Sequence, residues 1–310
     1  MATSDSPKSI TAARTLAVAK AGTPAPSSFV PMYKQDFAAG VVGSSDPDWR
    51  YSQFTDIRSV SGTQCVKMKP SHGALPPTCG GSHFFANNHG MNENAGLPDA
   101  VPIGRTVWYR MYFYFPSTFS FGYLFNSKPE AAECGKSADM GLSGIKWMNL
   151  STDVPGQKVY TKIPSGYRKT AQPTAPDSEY PDIRIENEGG GAGLSGTGRP
   201  VPLNTWFAMQ MAVKVANDGS GFVRLYLDDE MVAQQSNVST IPSSVTEITR
   251  WGLGDYWNGM PYTDGDPSRD YFFIDEIIIA SDMAGYGAPT GVDANGNAYI
   301  DPATRVGDFI

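Results

Sequence analysis

The chain has little of what most catalytic triads and metal centres are built from: three histidines and three cysteines among 310 residues. No serine-centred hydrolase elbow is present, and so few histidines argue against a Ser-His-Asp enzyme. The cysteines Cys65, Cys79 and Cys134 form an odd set, so at most one internal disulfide can exist. Cys65 and Cys79 could pair across a hairpin or stay reduced, and spacing does not choose between these. Cys65, His72, Cys79, His83 and His89 intermingle, yet without a compact C-x2-C or H-x3-H pair, so ordinary loop histidines are the simpler reading than zinc. No apolar run approaches the roughly 20 residues that span a bilayer. Residues 1–21 scatter Asp5, Lys8, Arg14 and Lys20 around a short apolar piece, which is no secretory signal. Charged residues make up 18% and the net charge is −7, so a field that coats nucleic acid or an anionic membrane is excluded; any acidic ligand must be met locally.

What the sequence does have is 33 Gly, 24 Pro and 36 aromatics from 15 Phe, 15 Tyr and 6 Trp, the composition of a turn-rich globular chain. Residues 1–28, rich in Ala, Ser, Thr and Pro, read as an extended arm. From 29 to 310 a single β domain is expected, with a Gly/Asn/Asp-rich tail over 285–310 wrapping its surface. Short alternating runs predict strands at 33–38, 57–60, 64–69, 82–86, 105–115, 143–150, 157–163, 182–188, 205–216, 221–228, 230–236, 246–254 and 271–280. Gly189 to Gly193 precede no helix pattern and read as a hairpin tip rather than a phosphate cradle. The fold class is therefore all-β, an antiparallel sandwich.

Val107 to Phe115 is the most informative run. Val107, Tyr109, Met111, Phe113 and Phe115 share one face; Trp108, Arg110, Tyr112 and Tyr114 share the other. The second face suits a hydroxylated, acidic ligand. If the matching faces of 182–188, 205–216 and 221–228 line the same sheet, Arg110, Tyr112, Tyr114, Lys146, Arg184, Glu186, Gln210, Arg224 and Tyr226 converge on a glycan groove, with Trp147, Trp251, Tyr256 and Trp257 at its rim. A mixed Tyr/Arg/Glu ladder that only stabilises a wetted sheet face is the competing reading. Asp275 and Glu276 interrupt the apolar run 271–280 and need a partner. Asp36 and Asp275 are candidate ligands of a structural Ca2+; salt bridges or exposure compete with this. Glu186 and Glu188 lie side by side on one strand, a poor arrangement for a glycosidase pair.

Tyr109 to Pro116, Gly144-Ile145-Lys146-Trp147, Asn204-Thr205-Trp206, Gly221 to Asp228 and Phe273 to Ile277, in that order, resemble the concanavalin-like (laminin-G-like) jelly-roll of heparin-lyase-like and alginate-lyase-like polysaccharide lyases, over roughly 30–283. Phage surface proteins share this strand grammar. The resemblance implies an Arg or Gln that neutralises the uronate carboxylate and a Tyr, His or Lys that takes the C5 proton. Arg110 or Arg184 would do the first, and Tyr112, Tyr226 or Lys146, or His83 or His89 from a loop, the second. The compact Gln-x-His element of alginate-lyase-like sites is absent. Two readings follow. The first is a glycan-recognising virion (phage) decoration or adhesion component, extracellular or on the virion surface, whose residues 1–28 dock on a neighbouring subunit. The second is a polysaccharide lyase that cleaves a uronate-containing polymer by β-elimination, with no required cofactor.

Overall fold

The computed structural model describes residues 29–43, 52–68, 72–74, 83–85, 95–117, 144–154, 158–164, 182–188, 193–257 and 271–309. The arm 1–28, Cys79, Cys134 and His89 lie outside them, as does the virion docking expected of that arm. Two antiparallel sheets dominate, numbered here in chain order. The eight-stranded sheet runs β14 (Glu230–Val238), β13 (Gly221–Leu227), β12 (Trp206–Lys214), β7 (Thr106–Tyr114), β16 (Phe272–Ser281), β3 (Cys65–Met68) and β2 (Ser52–Thr55), with β1 (Tyr33–Gln35) pairing β16. The six-stranded sheet runs β11 (Gly193–Pro200), β10 (Asp182–Asn187), β9 (Lys158–Pro164), β8 (Gly144–Ser151), β15 (Glu247–Trp257) and β6 (Ala95–Pro102). Small hairpins join β4 (His72–Ala74) to β5 (His83–Phe85) and β17 (Gly291–Val292) to β18 (Ala298–Tyr299). Among the described residues the one helical piece is a 3-10 turn, Val306–Asp308.

The core lies between the sheets and uses the alternation expected of half-buried strands. Val107, Tyr109, Met111, Phe113 and Phe115 of β7 and its continuation meet Met148, Leu150, Val159, Ile183, Ile185, Trp251 and Leu253 of the six-stranded sheet. Tyr109 crosses the gap: its ring lies 5.6 Å from that of Trp251, and its hydroxyl donates to the carbonyl of Gly252 at 3.3 Å. Burial pushes that phenol well above its ordinary pKa, so it stays a donor. This is an all-β sandwich, as the alternation predicts.

Local expectations differ at several strands; β2, β4, β17 and β18 lie outside the predicted runs. The run 57–60 is not a strand; β2 ends at Thr55, and 58–62 form a loop whose backbone caps Asp275. β6 and β11 escape the sequence pattern because both carry Pro and Gly, which strand propensity disfavours, and both sit at a sheet edge, where such residues are tolerated.

β7, β12 and β16 are buried on both faces. The sandwich covers one face and the chain's own tail the other. Trp108 Nε1 donates to the carbonyl of Ala298 at 2.9 Å, Arg110 Nη1 to that of Asp301 at 2.8 Å, and the Tyr112 hydroxyl to that of Pro302. The Ile300 amide donates to Gln210 Oε1 at 2.9 Å. Phe29, Trp108, Ala212, Tyr226, Ile278, Ala280, Tyr299, Ile300 and Val306 form a second apolar cluster beneath this segment.

Candidate functional site

The residues expected to converge divide between the two sheets. Arg110, Tyr112, Tyr114, Gln210, Arg224 and Tyr226 belong to the outer face of the eight-stranded sheet, while Lys146, Arg184 and Glu186 belong to the six-stranded sheet. One groove through all of them therefore does not exist.

Around Arg110 the outer face of the larger sheet is closed. Arg110 and Gln210 are fully buried, and Tyr112 and Tyr226 nearly so or wholly. The tail engages Arg110 Nη1, Gln210 Oε1 and the hydroxyls of Tyr112 and Tyr226. Tyr226 stacks on Tyr299 at 5.5 Å, and its hydroxyl donates to Asp293 Oδ2 at 3.2 Å. Burial, then the Asp293 carboxylate, push the Tyr226 phenol far up, the opposite of what a general base needs. Burial likewise raises Tyr112, against the opposing pull of Arg110 and Arg305. Arg224 lies over the Phe222 ring at 3.8 Å. The expected glycan contacts here are instead a structural interface with the C-terminal segment.

At the centre of that interface sits a buried ion cluster. β16 carries a bulge between Asp275 and Ile278 relative to β7, with Glu276 at φ +42°. The extra residue turns both acids to the outer face while Ile274 and Ile277 stay in the core. Glu276 Oε2 then lies 3.6 Å from Arg110 Nη2 and accepts from Arg305 Nη1 at 3.5 Å, while Glu276 Oε1 accepts from the Ser61 hydroxyl. Asp275 Oδ2 accepts from the amides of Val60 at 2.7 Å and Ser61 at 3.5 Å, and Oδ1 from that of Glu276 at 2.8 Å. Burial nevertheless pushes Asp275 up to about 7. Both Asp275 oxygens are occupied by backbone N–H donors. Asp36 caps Ala38 at 3.0 Å, and among the described residues no group of three or more His, Cys, Asp or Glu side chains gathers for a metal.

The six-stranded sheet presents a different surface. Ile183 and Ile185 face the core, so Arg184 and Glu186 face outward. From Arg184 the register continues through Lys162 on β9 and Lys146 on β8 to Tyr256 on β15, one line across four strands. A parallel line joins Glu186, Tyr160, Asn149 and Gly252. Two bulges flank the Lys146 and Tyr256 pair, one in β8 between Lys146 and Asn149 and one in β15 between Leu253 and Tyr256. Bulges concentrate beside active sites because they re-aim side chains. Arg250, one row further, pairs with Asp153 at 2.6 Å. From sequence, Tyr256 reads only as a rim aromatic and Lys162 is missed. The residue pattern says nothing of which strands are neighbours.

A family model for polysaccharide lyases matches residues 37–278, most of the 310-residue chain. The chain belongs to the polysaccharide lyase family. No curated protein matches its sequence. Similar solved structures include an endo-β-1,4-glucuronan lyase from the fungus Trichoderma reesei, with 11% identity, 81% of this chain and 95% of that one covered, and a TM-score of 0.47. An alginate lyase in complex with alginate tetrasaccharide has 9% identity, coverage of 81% and 97%, and a TM-score of 0.48. An alginate lyase from Aplysia kurodai has 10% identity, coverage of 81% and 98%, and a TM-score of 0.46. The polysaccharide lyase family match fits the second of the two sequence readings, a carbohydrate-active jelly-roll, and nothing in the comparisons points to a virion component.

Proposed function

We propose that this polysaccharide lyase cleaves a uronate-containing polysaccharide by β-elimination on the outer face of its six-stranded sheet. The observation that carries the reading is the register line Arg184, Lys162, Lys146, Tyr256. Three cationic residues, Arg184, Lys162 and Lys146, in one register line across neighbouring strands make a local basic row along which a polyanion can lie. At roughly 4.8 Å per strand the line spans about 14 Å, room for a short stretch of acidic sugar chain. The net charge of −7 makes this local concentration of cations more telling.

The chemistry follows from the carboxylate. A proton on the carbon bearing a carboxylate is too weakly acidic for an ordinary side-chain base until that negative charge is compensated. Arg184, supported by Lys162, is assigned the carboxylate. Lys146 and Tyr256, neighbours across β8 and β15, are assigned the proton transfers. One takes the C5 proton, the C4–O4 bond breaks as the C4=C5 double bond forms, and O4 leaves with a proton from the other. Lys and Tyr are both residue types that can exchange a proton with a sugar carbon or a leaving oxygen.

The test is incubation with alginate, glucuronan, heparin and hyaluronan while following the ultraviolet absorbance of the unsaturated uronate. A rise with at least one polymer, absent in Lys146→Ala, is expected. No rise with any of them overturns the proposal for those substrates.

A further inference from the structure

The outer face of the eight-stranded sheet is not closed along its whole length. The tail's hydrogen bonds run to Trp108, Arg110 and Tyr112 of β7. The next row on that face is Trp206, Tyr114, Phe273 and Lys67, in direct register across β12, β7, β16 and β3. Its rings touch in sequence: Trp206 to Tyr114 at 5.6 Å, Tyr114 to Phe273 at 5.9 Å, and Phe273 to Tyr271 at 5.5 Å. Tyr114 and Phe273 form a buried floor, whereas Trp206 and Tyr271 are only partly buried. Two cations lie on these rings. The guanidinium of Arg58 is 4.2 Å from the centre of Tyr114, and Lys67 Nζ is 3.6 Å from the centre of Tyr271.

We propose that this row is a second, non-catalytic binding surface for acidic polysaccharide, on the opposite sheet from the Lys146 line. Partly exposed rings offer apolar faces to the C–H side of a sugar, as they do to other flat ligands. A guanidinium stacked on a ring keeps its in-plane N–H donors available for a carboxylate, the geometry in which Arg differs most from Lys. Shielding an aromatic cluster from water requires only aliphatic bulk. Placing the exposed Arg58 guanidinium there, in a chain with 31 acidic residues against 24 basic ones, creates an anion-attracting spot instead. Exposed Asp56 is the nearest acid in sequence to Arg58, and Asp275 is committed to the amides of Val60 and Ser61. Four strands of about 4.8 Å spacing again give a track of roughly 14 Å. A polymer held here and at the Lys146 line would engage both faces of one sandwich, which favours retention on long chains over short ones.

The ligand class rests on the proposed function; the site itself does not, and the experiment separates the two. The full chain carrying Lys146→Ala is run in native gels cast with alginate, glucuronan or a neutral glucan, so binding is read without turnover. Retardation by a polyuronate but not by the neutral glucan is expected. Adding Arg58→Gln and Lys67→Gln should raise the apparent Kd roughly tenfold or more, the scale of losing central anchors of an interface. Unchanged retardation in that variant overturns the proposal, and so does a chain that no polyuronate retards. Because Arg58 is exposed, Arg58→Gln alone decides the matter should Lys67→Gln unfold. Failure of the lyase reading shows separately, as absent turnover by the chain with Lys146 intact.

Discussion

Glu276→Gln isolates the buried ion cluster with almost no change of shape. The Arg110 and Glu276 side chains are both 0% exposed and lie 3.6 Å apart, and Arg305, 34% exposed, approaches the same carboxylate at 3.5 Å. Arg110 Nε and Nη2 have no hydrogen-bond partner, so the carboxylate is what answers that charge. Desolvation already lowers the Arg110 pKa, a sign that its charge is held at a cost. Removing one member of a buried pair leaves the other uncompensated and costs about 3–5 kcal/mol. With about 2–4 °C of Tm per kcal/mol for domains of somewhat smaller size, the expected fall is roughly 6–20 °C. Scanning calorimetry on the full chain measures it. The double variant Arg110→Met with Glu276→Gln should lose less than the sum of the single changes, because the orphaned cation is gone. A Tm for Glu276→Gln within about 1 °C of the unaltered chain would refute the reasoning.

Other consequences are as direct. Asp275, at about 7 against a reference of 3.8, keeps its proton in the folded state over a range where the unfolded chain has lost it. Stability from this group is therefore full below about 3.8 and lost as pH rises through about 7, so Tm should fall between pH 5 and 8 with a shallower slope in Asp275→Asn. An equal slope in both chains would contradict that sign. Burial pushes the Cys65 thiol up to about 12, so iodoacetamide at pH 8 should leave Cys65 unmodified in the folded protein by peptide mass spectrometry; alkylation there would show that its burial is misjudged. Ending the chain at Ala284 removes the acceptors for Trp108, Arg110 and Tyr112 and uncovers Ile278 and Ala280. Strong binding of a hydrophobic dye or loss of solubility should follow, and a soluble chain with an unchanged Tm would count against the structural role of the tail.

The sandwich was legible because β7, β12 and β13 follow a period of two so closely that the core faces can be read off directly. The acids at Asp275 and Glu276 were legible as a problem needing a partner. The partner was not, since Arg305 comes from the tail and the bulge at Glu276 has no signature in residue type. The division of the expected groove residues between two sheets was not legible for a related reason. Alternation marks Arg110 and Arg184 alike as outward from the core, but which sheet each strand joins, and which face the C-terminal tail covers, depend on pairings between distant segments. Lys162 and Tyr256 gain meaning only through their register with Lys146.

The central claim is that chemistry belongs to the six-stranded sheet and structure to the face beneath the tail. On whichever polyuronate the chain cleaves, initial rates of Arg184→Ala, Lys146→Ala and Tyr226→Phe decide it. Loss of at least about a hundredfold in the first two, the scale of losing a charge-stabilising group for Arg184 and a general acid or base for Lys146, with Tyr226→Phe near the unaltered rate, is the expected result. Full activity in Lys146→Ala and Arg184→Ala, with loss in Tyr226→Phe, would contradict the assignment.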